Sequence, residues 1–226
     1  MHNKRNMAPE RKIKITEPQV NCQKCSRLAQ FRAKNRLVQP EWHNGAVPAF
    51  GSLAAKLLIV GLAPGLKGAN RTGRPFTGDY AGDLLYPACQ KAGLACGEYQ
   101  RSDTDTLKLM DCRITNAVRC VPPKNKPTLS EINICNEFLR NEINAMNSVK
   151  VILALGHVAH NSVLRALDIK LSHYKFRHGT FHSISKPFVL ANSYHCSRYN
   201  TNTGRLTKEM FDEVLLNVCL TIGQSK

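Results

Sequence analysis

The chain has 226 residues, with 32 Lys and Arg against 16 Asp and Glu, so its formal net charge is +16. This length suits one α/β domain with a full core and is too short for two comfortable ones. The positive charge favours a polyanionic partner over an acidic metabolite. No apolar run approaches the roughly 20 residues of a membrane span, and the N-terminus has no apolar core like that of a signal peptide. We therefore expect an intracellular protein with no membrane partner.

The N-terminal stretch, residues 1–20, is rich in Lys and Arg and poor in apolar side chains. This composition predicts a flexible basic arm that touches nucleic acid nonspecifically, with a merely solvated tail as the alternative. We expect residues 21–226 to form a single domain.

Four apolar runs predict β-strands, and stretches with helical spacing separate them. The first run, 57–60, shows no alternation of apolar and polar residues, which is typical of a central parallel strand covered on both faces. Thr128 and Glu131 form a capping box that begins one helix. The other strands are predicted over 112–118, 149–155 and 183–193, and the other helices over 25–36, 82–93, 157–167 and 207–222. This order predicts an α/β fold, a three-layer α/β/α sandwich around a four-stranded parallel sheet.

The first strand runs into a long polar loop, which contains Pro64 and several glycines and ends near Asp83. Loops at the carboxyl ends of parallel strands are where open α/β sheets bind ligands. Neither GxxxxGK[ST] nor GxGxxG occurs in it, so this loop lacks an ordinary nucleotide-cofactor signature.

The strand ends deliver Asp79, Asn116 and His195 to one rim of the predicted sheet, and Phe76 lies in the first loop. An Asn amide can pair with the Watson–Crick edge of a pyrimidine, a Phe ring can stack on the base, and a His can donate to a developing oxyanion. Asp79 could orient water or stabilise a cationic sugar. Together these side chains predict a pocket for a single base.

Nine cysteines, an odd number in a basic intracellular chain, argue against a disulfide framework. Cys22 and Cys25 form a CxxC, and with Cys120 and Cys135 they offer four thiolates. That number is enough for tetrahedral zinc or for an iron–sulfur cluster, and chance in a cysteine-rich chain is the remaining alternative. Apolar, periodic surroundings predict that the other cysteines are in the core: Cys89, Cys96, Cys112 and Cys219.

Several long motifs resemble the uracil-DNA glycosylase superfamily, and most closely its family 5, the UDGb type: GLAPGLKGANRTGRPFTGDYAGD, ITNAVRCVPPKNKPT, ALGHVAH and ANSYHCSRYNTNTGRLT. The resemblance implies the predicted fold and a DNA repair enzyme that flips uracil out of single- or double-stranded DNA and hydrolyses its N-glycosidic bond. It also implies one structural 4Fe–4S cluster on the four cysteines named above. We expect a monomer of bacterial or archaeal type in the cytoplasm.

The resemblance also assigns roles to residues of this chain. The first motif, Gly61 to Gly65, has no carboxylate, so Asp79 takes the duty of activating water, and small Gly65 predicts a permissive pocket that accepts hypoxanthine as well. The second motif has Cys196 where a proline is usual, a change that affects loop rigidity. The predicted roles are catalysis for Asp79 and His195, substrate binding for Phe76, Asn116, Gly61 and Gly65, and DNA contact for Ser193, Ser197, Arg198 and Tyr199.

No lysine occupies a motif position suited to a Schiff base, so we expect a glycosylase without strand-cleaving activity. Two other hypotheses stay open from the sequence. One is a non-catalytic nucleic-acid-binding protein with a four-cysteine zinc site, and the other is a hydrolase of free nucleosides, which would need no basic surface.

Overall fold

The computed structural model describes residues 17–184 and 186–223. Most of the predicted basic arm, residues 1–16, lies outside these ranges. Its last residues belong to the packed fold, because Glu17 pairs with Arg113 at 2.8 Å and the Val20 carbonyl accepts a hydrogen bond from Ala46 N–H at 2.9 Å. Residues 17–20 of the predicted arm therefore contact the domain predicted over 21–226.

A mixed sheet of six strands forms the centre of the molecule, in the order β1-β5-β2-β6-β8-β7. Its four central strands are parallel, and short antiparallel strands add to both edges. The strands are β1 (Phe50–Gly51), β2 (Leu57–Gly61), β3 (Ala95–Cys96), β4 (Lys108–Leu109), β5 (Cys112–Asn116), β6 (Val151–Leu155), β7 (Phe181–Ser183) and β8 (Val189–Ser193), of which β3 and β4 pair separately. The predicted four-stranded parallel sheet is confirmed as the core of this larger sheet.

Helices cover both faces of the sheet. Alternate residues of β2 point to opposite sides, so Leu57 and Ile59 pack with α3 and α7, while Leu58 and Val60 pack with α4 and α5. The helices are α1 (Ser26–Val38), α2 (Ala69–Thr72), α3 (Tyr80–Lys91), α4 (Leu129–Ala145), α5 (His157–Ala166), α6 (Arg198–Asn202) and α7 (Lys208–Ile222). This burial on two faces explains the continuous apolar run of β2 and confirms the α/β/α sandwich.

Two details differ from the sequence-based expectations. The predicted strand over 183–193 starts too early, because β8 covers only Val189–Ser193, and Ser183 is the last residue of β7, which pairs antiparallel with β8. Pro187, which cannot donate to a sheet ladder, lies in the connection between them. Cys96 is exposed on the small β3–β4 pair, whereas the other three cysteines predicted in the core are buried.

Helix ends follow the expected chemistry. The Thr128 and Glu131 capping box is present at the start of α4, and the Thr207 side chain accepts from Met210 N–H at the start of α7. None of the helices in the described ranges is long and apolar enough to cross a membrane.

Candidate active site

The carboxyl ends of the parallel strands open onto one cavity of about 640 Å³. The register of the sheet aligns these ends, with Gly61 opposite Asn116 and Leu155 opposite Ser193. Residues from the loops after all four parallel strands line the cavity. Of the residues predicted from sequence, the lining includes Gly65, Phe76, Asp79, Asn116, His195, Ser197 and Arg198.

Asp79 begins α3 and projects into the cavity. Its Oδ1 accepts the Ala81 backbone N–H at 3.1 Å. Burial raises the pKa of the Asp79 carboxyl, and the backbone N–H groups of Gly82 and Ala81 oppose that shift. The other oxygen, Oδ2, lies against two glycines: a Cβ at Gly65 would be 2.6 Å from it, and a Cβ at Gly68 would be closer still. Gly65 therefore makes room for the carboxylate, and it also lines the cavity in which the base is predicted to bind.

Phe76 is held in the left-handed region of the backbone, with a φ of 52°. A bulky residue adopts this conformation only where its surroundings enforce it. Arg74 supplies part of that enforcement, since its guanidinium forms two hydrogen bonds of 2.7 and 2.8 Å with the buried carboxylate of Asp105. The Tyr86 hydroxyl donates to Pro75 O at 2.5 Å. The loop that presents Phe76 and Asp79 is thus built rigidly.

Asn116 is the last residue of β5 and only 3% exposed, and that exposure is toward the cavity. Gly61 on the neighbouring strand does not line the cavity itself. A Cβ there would collide with both the Asn116 Oδ1 and the Phe76 ring. Gly61 therefore lets these two side chains lie close together where they line the cavity.

His195 faces the cavity from the loop after β8, with its ring stacked on that of Phe76 at a centroid distance of 5.8 Å. Burial lowers the pKa of His195 to about 4, so the imidazole is neutral at physiological pH. Its Nδ1 has no hydrogen-bond partner among the described residues. The Asn200 side chain donates to the His195 carbonyl at 2.8 Å, and buried Cys196 follows. These contacts hold the loop that carries His195, in which Cys196 stands where a proline is usual.

The four residues predicted to contact DNA have different positions. Ser193 is fully buried and donates to the Tyr194 carbonyl at 2.9 Å, so its hydroxyl is not presented to a DNA strand. Ser197 accepts from Asn200 N–H and caps α6. Arg198 lies over the Tyr80 ring at the cavity, 5.3 Å from its centroid. Tyr199 is 72% exposed and lies outside the cavity lining.

Comparison with known proteins agrees with this geometry. The family model described as "Uracil DNA glycosylase superfamily" matches residues 48–218. The type-5 uracil-DNA glycosylase of Thermus thermophilus is 43% identical over 201 residues, which are 86% of this chain and 91% of that protein. Type-5 uracil-DNA glycosylases of Mycobacterium leprae (40% identical; 85% of this chain, 88% of that protein) and Pyrobaculum aerophilum (38%; 90% of each) are also similar.

The chain belongs to the uracil-DNA glycosylase superfamily. The type-5 relatives confirm the family predicted from the motifs, while nothing supports a non-catalytic zinc protein. Within this glycosylase fold, the rim residues Asp79, Asn116 and His195 converge on one cavity, as the strand order predicted.

Several side chains of the glycosylase cavity escaped the sequence-based prediction. Tyr194 is held between two partners, stacked on His178 at 4.9 Å and covered by the Arg205 guanidinium at 4.7 Å. Tyr194 and Arg205 lie in the motif that also contains His195, a signal that could have found them. Asn125 and Phe176 come from irregular segments whose sequence carries no periodic pattern.

Four cysteines meet at a second, smaller cavity: Cys22 and Cys25 of the CxxC, Cys120 after β5 and Cys135 on α4. Cys120 and Cys135 are buried, and burial raises their pKa values to about 12 and about 11. The Arg119 backbone N–H lies 3.4 Å from the Cys135 Sγ, in a donor position. Across the described ranges, no group of three or more Cys, His, Asp or Glu is arranged to hold a single metal ion.

The chemistry of this cavity nevertheless fits a thiolate-bound cluster. Four thiols line one largely apolar space, and a backbone N–H already points at one sulfur, as in proteins that hold iron–sulfur groups. A tetrahedral zinc site needs its sulfurs about 3.8 Å apart, given a Zn–S distance of ~2.3 Å. A cluster of several irons needs larger distances between the cysteine sulfurs. Loading would release the protons that burial keeps on Cys120 and Cys135.

Proposed function

We propose that this chain is a DNA repair glycosylase, which flips uracil out of DNA and hydrolyses its N-glycosidic bond to leave an abasic site. The observation that carries the proposal is the convergence of Asp79, Asn116 and His195 on a single cavity in a chain of this family. The basic composition, with a net charge of +16, suits a DNA substrate.

Recognition of the base falls to Asn116 and Phe76. The Asn116 amide offers both a donor and an acceptor, which is what the Watson–Crick edge of uracil requires. Flipping costs a few kcal/mol of unstacking, less for a mismatched base, and contacts in the pocket offset that cost. The strained backbone of Phe76 holds its ring in one position before the base binds. Less conformational entropy is therefore lost on binding.

Bond cleavage falls to His195 and Asp79. As the glycosidic bond lengthens, negative charge develops on the uracil oxygen and the sugar becomes oxocarbenium-like. Neutral His195 donates a hydrogen bond to that oxygen, and the Asp79 carboxylate stabilises the sugar and positions the attacking water. No lysine lines the cavity within the described residues, in keeping with a monofunctional enzyme that leaves the strand uncut.

The finer assignments are part of the same proposal. Cys22, Cys25, Cys120 and Cys135 hold one 4Fe–4S cluster with a structural role, which pins the segment before α1 to the segment after β5. The substrate range includes hypoxanthine, in single- or double-stranded DNA. The enzyme works as a monomer in the cytoplasm.

The experiment that tests the activity is release of base from a labelled duplex with one U opposite G, followed by hot alkali. Strand cleavage only after alkali supports a monofunctional glycosylase, and cleavage before alkali contradicts that part. An Asp79→Ala protein purified in parallel controls for contaminating enzymes. Failure on U in single- and double-stranded DNA, and on hypoxanthine, overturns the proposed function.

A further inference from the structure

Arg32 is a buried cation without an anionic partner. It lies on α1 and is 2% exposed. Its Nη1 donates to the Val20 carbonyl at 2.6 Å and its Nη2 donates to the Cys22 carbonyl, while its Nε has no partner. In the part of the chain that the structure describes, no carboxylate forms an ion pair with it. An arginine side chain is almost never buried without an anionic partner, since an uncompensated buried charge is strongly destabilising.

The neighbouring charges are already paired with one another. Glu142 is shared by Arg113 at 2.6 Å and Arg119 at 2.5 Å, and Arg113 also reaches Glu17. Lys24, inside the CxxC, pairs with Glu137, and Arg27, two residues after it, pairs with Glu131. None of these carboxylates is left over to neutralise Arg32.

The four-cysteine cavity lies next to this unpaired charge. Arg32 holds the carbonyl of Cys22, and Leu28, one helical turn earlier on α1, lines the cavity. Arg119 lines the cavity as well, and its Nε and Nη1 are buried without partners.

We infer that Arg32 is the counter-ion of the anionic, thiolate-bound cluster that Cys22, Cys25, Cys120 and Cys135 hold, and that Arg119 supplies further donors to its sulfurs. This inference rests on the cofactor named in the proposed function. Four thiolates carry more negative charge than the core of a 4Fe–4S cluster neutralises, so the loaded site is an anion. The charge and hydrogen bonds around a cluster set its reduction potential, so Arg32 both retains the cluster and raises its potential.

Two substitutions separate charge from geometry. Arg32→Gln removes the charge but keeps N–H donors for the Val20 and Cys22 carbonyls, whereas Arg32→Lys keeps the charge and loses the planar fork. Arg36→Gln is the matched control, one turn further along α1, where Arg36 contacts the Asn21 side chain. All proteins are purified without oxygen, and iron, acid-labile sulfide, the midpoint potential and the rate of bleaching in air are measured.

The expected result is bleaching about tenfold faster and a more negative potential for Arg32→Gln, with Arg32→Lys and Arg36→Gln close to the wild type. Equal behaviour of Arg32→Gln and wild type overturns the inference, as does a defect of the same size in Arg32→Lys. Should Arg32→Gln retain no cluster, thermal unfolding of the iron-free proteins decides: equal or greater stability of the variant supports the counter-ion, and a less stable variant overturns it.

A wild-type protein that contains no iron yet releases uracil refutes the cofactor and this inference together, and leaves the glycosylase activity standing. A brown wild-type protein without activity on any base refutes the activity alone.

Discussion

A backbone N–H group and two glycines determine the position of the Asp79 carboxylate. Its Oδ1 is held by the Ala81 N–H, and its Oδ2 lies where Gly65 and Gly68 carry no side chain. A carboxylate fixed in this way needs little reorganisation when positive charge develops on the sugar.

Replacement of Asp79 by Ala should lower turnover on uracil on the order of a hundredfold or more, because the electrostatic stabilisation of the sugar is lost in the transition state. Affinity for uracil-containing DNA, measured by fluorescence anisotropy, should stay near the wild-type value. Losses of equal size in binding and in turnover would rule out this role.

Gly65→Ala should lower turnover about ten- to a hundredfold, because its Cβ displaces the Asp79 carboxylate by part of an ångström. The test is a double-mutant cycle on single-turnover rates. If Gly65 acts through Asp79, then Gly65→Ala adds no further loss in an Asp79→Ala background. Additive losses, or a change confined to which bases are excised, would favour the original hypothesis of direct contact with the base.

His195 should make stability depend on pH between about 4 and 6.5. Burial lowers its pKa to about 4 in the folded protein, below the ordinary value of 6.5. In this window the unfolded chain binds more protons, so the free energy of unfolding rises with pH. Denaturant titrations across the window should show a shallower rise for His195→Asn. Exposed His173 provides the control, as His173→Asn should retain the wild-type slope.

At the scale of elements, the N-terminus of α4 joins two parts of the molecule. Glu131 completes the capping box and also forms two hydrogen bonds of 2.7 Å with Arg27 on α1. Cys25 and Cys135 belong to the same two helical regions. The start of α4 therefore sets the distance between the two halves of the cysteine cavity.

Thr128→Ala should lower the free energy of unfolding by about 1 kcal/mol, the ordinary cost of losing an N-cap. It should also speed the loss of iron from the purified protein, since the cap aligns the helix that carries Cys135. Thr207→Ala removes the corresponding cap of α7, which contributes no residue to the four-cysteine cavity, and should cost similar stability with no effect on iron. Equal loss of iron in both variants would contradict a local effect of α4.

The elements that the sequence predicted well are those with strong local signals. The apolar run 57–60 reflects burial of β2 on both faces, and the Thr128 capping box consists of local hydrogen bonds between residues three apart. Both patterns are visible in the sequence. Strand β8 begins at Val189, later than the predicted 183, because a connection that contains Pro187 precedes it. Exposed Cys96 was misplaced because the β3–β4 pair is too short to show a period.

At the scale of the whole molecule, the charge should dominate the affinity for DNA. The logarithm of the association constant for uracil-free duplex should fall linearly with the logarithm of the salt concentration, with a slope near −0.9 per phosphate contact. Arg198→Gln should reduce that slope by about one. Lys91→Gln is the control, because Lys91 is paired with Asp212. A slope near zero for the wild type would favour the hypothesis of a nucleoside hydrolase.

The convergence of the site residues could be predicted from the sequence, whereas the contacts that support them could not. Asp79, Asn116 and His195 follow strand ends, and the ends of parallel strands share one edge, so their convergence follows from topology. The close approach of Gly65 to the Asp79 carboxylate depends on three-dimensional packing. So does the burial of Arg32 without an anionic partner. In the sequence, Arg32 resembles any basic residue of a surface helix.

The order of the sheet has a consequence for synthesis of the protein. Strand β2 lies between β5 and β6, so Leu57 meets Val151 only after most of the chain has been made. The cavity then still lacks its wall from β8 to Arg205. Parallel pairing between distant segments is slow, and domains fold as units during translation. A nascent chain that has not yet reached Arg205 therefore has no complete pocket for a base.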